Sequence, residues 1–248
     1  MKIIKAHNLS CPVDGARFEY HEKQLVCSNG HVFDIARQGY VNLLPAQHKR
    51  SKQPGDSKAM VSARGRFLNS GPYEPVARQL ADIAFAQITH TKQTCFMDAG
   101  CGEGYYLDYV LHELKDKKGR NELSFIGLDI SKPAIAAAAK RSRQIRWIVG
   151  TNRQPPVEPA SVDIVSCVFG FRSLEGFHNV LKSGGKVILV EPGPGHLQEL
   201  REIIYSEVRK TDPPGLSALE ETGFSIVDRQ RLQFQTGALN NEQINDCL

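Results

Sequence analysis

The sequence predicts an α/β fold in which helices cover both faces of a parallel sheet, preceded by a small module of different texture. Three observations carry this. From Pro72 onward, helix-like and strand-like stretches alternate, the pattern of a parallel sheet with crossover helices. The strand-like stretches are continuous apolar runs, as expected when both sheet faces are covered. Residues 1–45, in contrast, are short strand-like pieces punctuated by Cys, Gly and His.

The elements follow in order. PYEPVARQLADIAFAQI sets Val76, Leu80, Ile83 and Ala84 at helical spacing. TCFMDAG is a short buried strand that runs into glycines. YYLDYVLHEL is a helix with Leu107, Val110, Leu111 and Leu114 on one face. SFIGLDI is a second strand, and KPAIAAAAKRS a helix with Ser131 as its N-cap. RWIVGT, VDIVSCV and KVILVEP are three more strands, and a helix around LEGFHNVLK separates the last two. Residues 46–72 contain HKRSKQPGDS, are polar and basic, and read as a linking loop. GFSIVDRQRLQFQ is expected to supply a sixth strand, and GALNNEQINDCL is more helix-like. The division is therefore 1–45, 46–72 and 73–248.

A chain of 248 residues, 41% of them hydrophobic, has enough apolar side chains for one large core plus an appendage. No apolar run approaches the roughly 20 residues of a membrane span. The start, MKIIKAHNLS, lacks the apolar stretch of about 7–15 residues in a secretion signal. Six scattered cysteines argue against a disulfide framework, so a cytoplasmic protein without membrane partners is expected. The net charge of +4 is uneven: residues 1–72 carry 11 Lys/Arg against 5 Asp/Glu, residues 73–248 carry 20 against 22. The N-terminal third is the part suited to a polyanion, or else a solvated basic surface.

MDAGCGEGYY, residues 97–106, carries the chemistry. Three glycines between a buried strand and a helix let a ligand approach bare backbone at the carboxyl end of the sheet. The next strand ends in Asp129, which is suited to ribose hydroxyls or to capping the following helix. It stands 29 positions after Gly100, where a dinucleotide fingerprint expects about 20. The pattern DAGCGEG is also not G-x-G-x-x-G. It favours S-adenosylmethionine over a nicotinamide dinucleotide, with Asp98 and Glu103 orienting the charged methionine part of the cofactor beside Gly100, Gly102 and Gly104.

The stretches CPVDG…CSNGHVFD, GYVNLLPAQHKRSKQPGDS, DAGCGEGYY, GLDISKPAIAAAAKR and PGPGHLQEL together resemble the RlmA-type 23S ribosomal RNA (guanine-N1)-methyltransferases. The resemblance implies a Rossmann-like class I methyltransferase sheet behind a small zinc-ribbon-like module. It implies a guanine of a large-subunit ribosomal RNA hairpin as substrate, and Tyr73 and His196 near the cofactor. Members continue past the point where this chain ends, so the C-terminal sheet edge is expected to be incomplete. The oligomeric state stays open, with a homodimer among the options.

The family's zinc pattern is Cys-x2-Cys followed by Cys-x3-His; here the corners are Cys11, Asp14, Cys27 and His31. Aspartate can bind zinc at about 2.0–2.2 Å, but thiolate suits the metal better. Either Cys11, Cys27 and His31 hold zinc with Asp14 or water, or the module rests on packing alone. Cys95, Cys101 and Cys167 lie in or beside strands and read as small apolar side chains.

For methyl transfer the base must leave its stack. Phe169, Phe171 and Arg172, at the end of the fourth strand, are weak candidates for holding it, and no side chain stands out as general base. The basic residues His48, Lys49, Arg50 and Lys52, with Arg64 and Arg66, are expected to meet RNA phosphates. The alternative is a non-catalytic RNA-binding relative, inactive because of the altered metal corner and the short C-terminus.

Overall fold

The computed structural model describes residues 1–45, 53–88, 93–117, 119, 121–204, 219 and 221–247. Its centre is a seven-stranded sheet. Strand β6 (Gln93–Ala99) lies in the middle and pairs in parallel with β7 (Glu122–Asp129) on one side and β9 (Val162–Val168) on the other. Beyond β7 comes β8 (Arg146–Val149), then the two-residue β5 (Val41–Asn42); beyond β9 comes β10 (Leu181–Val190). The chain therefore reverses its direction of travel across the sheet beside β6, which opens a crevice at the carboxyl ends of β6 and β9.

The first strand, β1 (Lys2–Ile4), also joins this sheet, pairing with Glu122–Ser124 of β7. The N-terminal segment thus supplies two strands to the large sheet. Its own antiparallel sheet is confined to β2 (Phe18–Tyr20), β3 (Gln24–Cys27) and β4 (Val32–Asp34).

Each sheet face has its own buried cluster. On one face, α1 (Lys58–Asn69), α2 (Glu74–Gln87), α3 (Tyr105–Asp116) and α4 (Lys132–Arg141) contribute Phe67, Leu80, Leu111 and Ile135 around Phe125 and Trp147. On the other face, Leu9, Cys11, Leu25 and Cys27 of the ribbon are buried with Ile126, Ile148, Val165 and Phe177 of the sheet and α5 (Leu174–Val180). The ribbon therefore does the work of a covering helix. A bridge between Leu9 and Val157 and a hydrogen bond from the Ser10 N–H to the Pro156 carbonyl fix it there. Hydrophobic burial of this kind is the main stabilising contribution in a segment too short for its own core.

The strands and helices expected from residue 73 to 190 all form. The linking region differs. It contains the 12-residue helix α1, whose N-cap Ser57 accepts the Met60 N–H at 3.3 Å. The run of charges hid Val61, Phe67 and Leu68, which are buried at helical spacing. The expected sixth strand does not form: residues 224–240 make no sheet ladder, and Val227 is 74% exposed. Alternating apolar residues give a segment a face to bury, but a strand also needs a neighbour's free edge. This segment instead runs along α2, where Gln79 donates to Gln230, and packs Phe234 and Leu239 against the helical cluster. Among the described residues the sheet ends at β10. A short helix, α7 (Asn241–Cys247), follows and docks on α1 through ion pairs of Arg66 with Asp246 and Glu242. One further helix, α6 (Gln198–Ile204), follows β10. No helix among the described residues is long and apolar enough to cross a membrane.

Trp147 locks β8 to the sheet. It is 1% exposed, and its indole N–H donates to the Ser142 carbonyl at 2.7 Å. The ring lies flat over Gly127: a Cβ at that position would stand 2.2 Å from two ring carbons. Gly127→Ala should therefore destabilise the protein by about 1–3 kcal/mol through overpacking. Gly193→Ala, which meets no atom within 4 Å, should be near neutral. Urea unfolding midpoints for the two variants check this.

Candidate active site and metal centre

The chain leaves β6 through Gly100, Gly102 and Gly104, with φ of 84°, 57° and 84°. These left-handed conformations disfavour side chains. The Gly100 and Cys101 N–H groups both donate to the Leu128 carbonyl, at 2.7 and 3.0 Å, which ties the turn to the end of β7. The Gly102 N–H donates to Oδ2 of Asp129 at 2.9 Å, and the Ser131 N–H to Oδ1 at 2.7 Å. Asp129 thus does help to start α4, while the Ser131 hydroxyl caps that helix by accepting the Ala134 N–H at 3.2 Å. A carboxylate accepts about four hydrogen bonds, so Asp129 keeps acceptor positions for ligand hydroxyls.

Three carboxyls crowd this turn. Asp98 is 1% exposed and accepts the Ser166 hydroxyl at 2.6 Å. Burial pushes its carboxyl up to about 7; Ser166 opposes the shift, while Asp129 and Glu103 add to it. Glu103 is raised as well, chiefly by burial. Its Oε1 has no hydrogen-bond partner among the described residues, and the Arg141 guanidinium stands 3.8 Å away. A buried acceptor left unpartnered is costly. The donor set therefore fits a cationic, hydrogen-bond-donating ligand laid on bare backbone. Helix α1 forms another wall. The Ser131 hydroxyl donates to the Asp56 carbonyl at 2.7 Å, and Arg64, paired with Asp56, reaches within 3.7 Å of where a Gly102 Cβ would be.

The loop after β9 sits on the same turn. A Cβ on Gly170 would stand 3.3 Å from the Ala99 carbonyl oxygen. Phe169 has φ of 52°, unusual for a bulky residue, and is 41% exposed. Its ring lies 6.0 Å from Tyr73, 6.4 Å from Tyr106 and 5.9 Å from His196, centroid to centroid. The Tyr73 hydroxyl and His196 Nε2 are 2.6 Å apart. Burial lowers the His196 pKa and raises that of Tyr73 to about 12. Phe171 and Arg172 stand farther out: Phe171 stacks with Arg153 at 4.8 Å, and Arg172 pairs with Glu191 at 3.2 Å. Arg66 is turned to α7. His48, Lys49, Arg50 and Lys52 lie outside the described residues.

Sequence reasoning missed Ser166, Asn152, Tyr106 and Phe234, and it expected Arg64 on RNA phosphates, whereas Arg64 pairs with Asp56 beside the glycine turn. Asn152 follows the carboxyl end of β8 and donates to the Phe171 carbonyl at 2.7 Å, bracing the aromatic loop against the turn. Its place after a parallel strand was the available signal. Phe234, 6.1 Å from Tyr73, comes from a segment whose local pattern suggested a strand.

In the ribbon, ligand atoms of Cys11, Asp14, Cys27 and His31 all lie within 4.8 Å of one another. His31 Nδ1 is 3.1 Å from Asp14 Oδ2, 3.3 Å from Cys27 Sγ and 3.6 Å from Cys11 Sγ. Ligands at about 2.0–2.3 Å from one tetrahedral zinc ion would be separated by about 3.3–3.8 Å, so the four corners fit that ion. Asp14 is oriented for the task. The Ala16 N–H donates to Oδ1 at 3.0 Å and Asn29 to Oδ2 at 2.8 Å, and these bonds hold its carboxyl well below the usual range. Burial pushes the Cys11 thiol up to about 11. Cys95, Cys101 and Cys167 are buried and stand apart from this cluster.

Comparisons with known proteins match both parts of the chain. The family model for the RlmA N-terminal zinc ribbon matches residues 9–52, and a methyltransferase domain model matches residues 96–185. The 23S rRNA (guanine(748)-N(1))-methyltransferase of Streptomyces fradiae is 33% identical over 227 residues, which cover 91% of this chain and 78% of that protein. YxjB of Bacillus subtilis (strain 168), provisionally designated a 23S rRNA (guanine-N(1)-)-methyltransferase, is 29% identical over 85% of this chain and 73% of its own. Among solved structures, Streptomyces venezuelae DesVI aligns with a TM-score of 0.42 and 20% identity, over 56% of this chain and 60% of that one.

The metal corner can be tested directly. Asp14→Cys should raise zinc affinity by about tenfold or more, since thiolate is the better ligand. A chelator should accelerate hydrogen exchange in β2–β4 while β6 and β7 stay protected. Competition with a chromophoric chelator and exchange mass spectrometry read the two effects.

Proposed function

Because the chain belongs to the RlmA-type 23S ribosomal RNA (guanine-N1)-methyltransferase family, we propose that it transfers a methyl group from S-adenosylmethionine to N1 of a guanine in a large-subunit ribosomal RNA hairpin. The observation that carries the reading is the aromatic loop seated on the glycine turn: the Phe169–Tyr73–His196 group stands beside backbone suited to a nucleoside.

S-adenosylmethionine supplies an electrophilic methyl on a sulfonium. Gly100, Gly102 and Gly104 leave the backbone open to the nucleoside, and Asp129 accepts the ribose hydroxyls. Asp98 and Glu103 face the cationic end. Positioning of this kind is the main contribution when the electrophile is already reactive. The exposed face of Phe169 stacks the extruded guanine, with Tyr73 and Tyr106 excluding water behind it. Guanine N1 must lose its proton. His196, kept neutral by burial and hydrogen-bonded to Tyr73, is the group suited to receive it. Phe171 and Arg172 form the outer lip. Cys11, Asp14, Cys27 and His31 hold a structural zinc ion. Residues 1–45 and the basic segment 46–72, including His48, Lys49, Arg50 and Lys52, contact RNA phosphates, while Arg66 is engaged by Asp246 and Glu242; residues 73–248 bind the cofactor, with Arg64 reaching the turn. These roles rest on the geometry above and on the family.

Mass mapping of 23S ribosomal RNA incubated with protein and cofactor tests the reading. One guanine should gain a methyl on its Watson–Crick edge and stop reverse transcriptase. Phe169→Ala should lower kcat/KM by about 5–150-fold, from the loss of roughly 1–3 kcal/mol of stacking, and leave cofactor affinity intact. No methylated guanine would overturn the reading.

Asp98 adds a pH dependence. Its folded-state carboxyl, near 7, holds a proton more tightly than in the unfolded chain, so it costs stability increasingly as pH rises from about 4 to about 7. The charged form attracts the cation. Cofactor affinity should therefore fall as pH drops below 7, by up to about tenfold per unit. Asp98→Asn should flatten that profile and stabilise the free protein at pH 8. Calorimetry across pH 6–8 and thermal melts decide it.

A further inference from the structure

The opposite end of the sheet carries a second basic site. β1 and β8 lie on the same edge of β7: Ile4 pairs with Ser124 and Arg146 with Ile126. The chain between Ile4 and the ribbon therefore crosses in front of Arg146, at the amino end of β8. There a cleft of about 260 Å³ opens between the ribbon and the α4–β8 junction. Lys5, Arg37, Arg143 and Arg146 line it, against the single carboxylate of Glu22. A shallower depression next to it shares Arg37 and Arg143 and adds Lys140.

The core of this cleft is Arg146. It is 8% exposed, yet no carboxylate pairs with it among the described residues. Its Nε donates to the Ala6 carbonyl at 3.2 Å, and its guanidinium lies 4.9 Å over the Tyr20 ring. Tyr20 in turn is held by the Leu9 N–H at 3.1 Å and by the edge of His7. The guanidinium is thus fixed by a rigid wall, with its two terminal nitrogens left for a partner. The Lys5 ammonium is held close by the Arg143 carbonyl at 2.7 Å. A buried guanidinium without a counter-charge is unfavourable, and gathering Lys5, Arg37 and Arg143 around the same cleft makes it worse unless an anion enters.

We infer that this cleft binds phosphate groups of the RNA backbone, so that the substrate strand runs from the carboxyl edge of the sheet past the ribbon to the amino end of β8. Arginine's planar fork matches phosphate, and the cleft has room for more than one. This inference rests on the ribosomal RNA reading. The mutual repulsion also appears in the titrating groups: burial, then Arg146 and Arg143, lowers the Lys5 pKa, and burial, then Arg146 and Lys5, lowers that of His7.

The test is filter binding of transcribed 23S ribosomal RNA over a range of KCl concentrations, without cofactor. It compares wild type, Arg37→Gln/Arg143→Gln and a control, Arg229→Gln/Arg231→Gln. Both pairs are exposed and remove equal charge. The cleft pair should reduce the slope of log K against log salt by about 0.7–0.9 for each phosphate no longer neutralised, so by about 1–2, and the control by clearly less. An unchanged slope, or an equal loss in the control, overturns the inference. Inorganic pyrophosphate, followed at the Arg146 Nε–H by NMR, separates the sources of phosphate. Millimolar binding with a reduced RNA slope supports the backbone assignment; micromolar binding with an unchanged RNA slope overturns it in favour of a small phosphorylated molecule. Wild type that methylates RNA while the slopes stay equal defeats only the cleft. Wild type that neither binds nor methylates RNA defeats the family reading and the cleft with it.

Discussion

Asp129 holds together parts of the molecule that are far apart in sequence. One carboxylate oxygen accepts the N–H of Gly102 from the turn after β6, the other the N–H of Ser131 at the start of α4. Ser131 then passes the connection on to Asp56 and the start of α1. Neutral hydrogen bonds contribute about 0.5–1.5 kcal/mol each and those to charged groups about 1.5–3, so this carboxylate weighs heavily in the local balance. Burial raises its pKa, and the two amides oppose the shift. The constraint explains why three glycines can keep left-handed backbone without collapsing: the turn is suspended from β7 rather than self-supporting.

The ribbon depends on the same sheet from the other side. Its apolar residues complete one sheet face, and β1 and β5 are edge strands. A metal at Cys11, Asp14, Cys27 and His31 would therefore need to order only the small β2–β4 sheet and its loops, not to create a fold from an unfolded chain. That division makes an aspartate tolerable where the family carries a cysteine. In the proposed zinc site, the Ala16 and Asn29 hydrogen bonds would preset this weaker ligand.

The parallel strands were legible because each is an apolar run bounded by turn residues, and the glycine turn because it sits between such a run and a helix. Cys11, Asp14, Cys27 and His31 were singled out by the resemblance to the family's zinc pattern, and the fold does bring them together. Helix α1 was hidden because its buried residues are diluted among charges, and its cap, Ser57, stands behind a proline and a glycine that suggest a loop. The expected strand around Ile226 failed for the opposite reason: a local pattern was present but no ladder partner met it. Ser166 and Asn152 act on residues 68 and 19 positions away, respectively, and no local pattern encodes such distances. The same holds for the basic cleft, whose cations come from three separate stretches, around Lys5, Arg37 and Arg143–Arg146.

We propose that the suspended turn and Asp129 form one preset nucleoside site. A crystal structure of the protein with S-adenosylhomocysteine tests this most directly. The ligand should lie along Gly100–Gly104, with its ribose hydroxyls within about 2.5–3.0 Å of the Asp129 carboxylate and the bonds from Gly102 and Ser131 still in place. A ligand bound elsewhere, or an Asp129 that must release both amides to receive it, would contradict it.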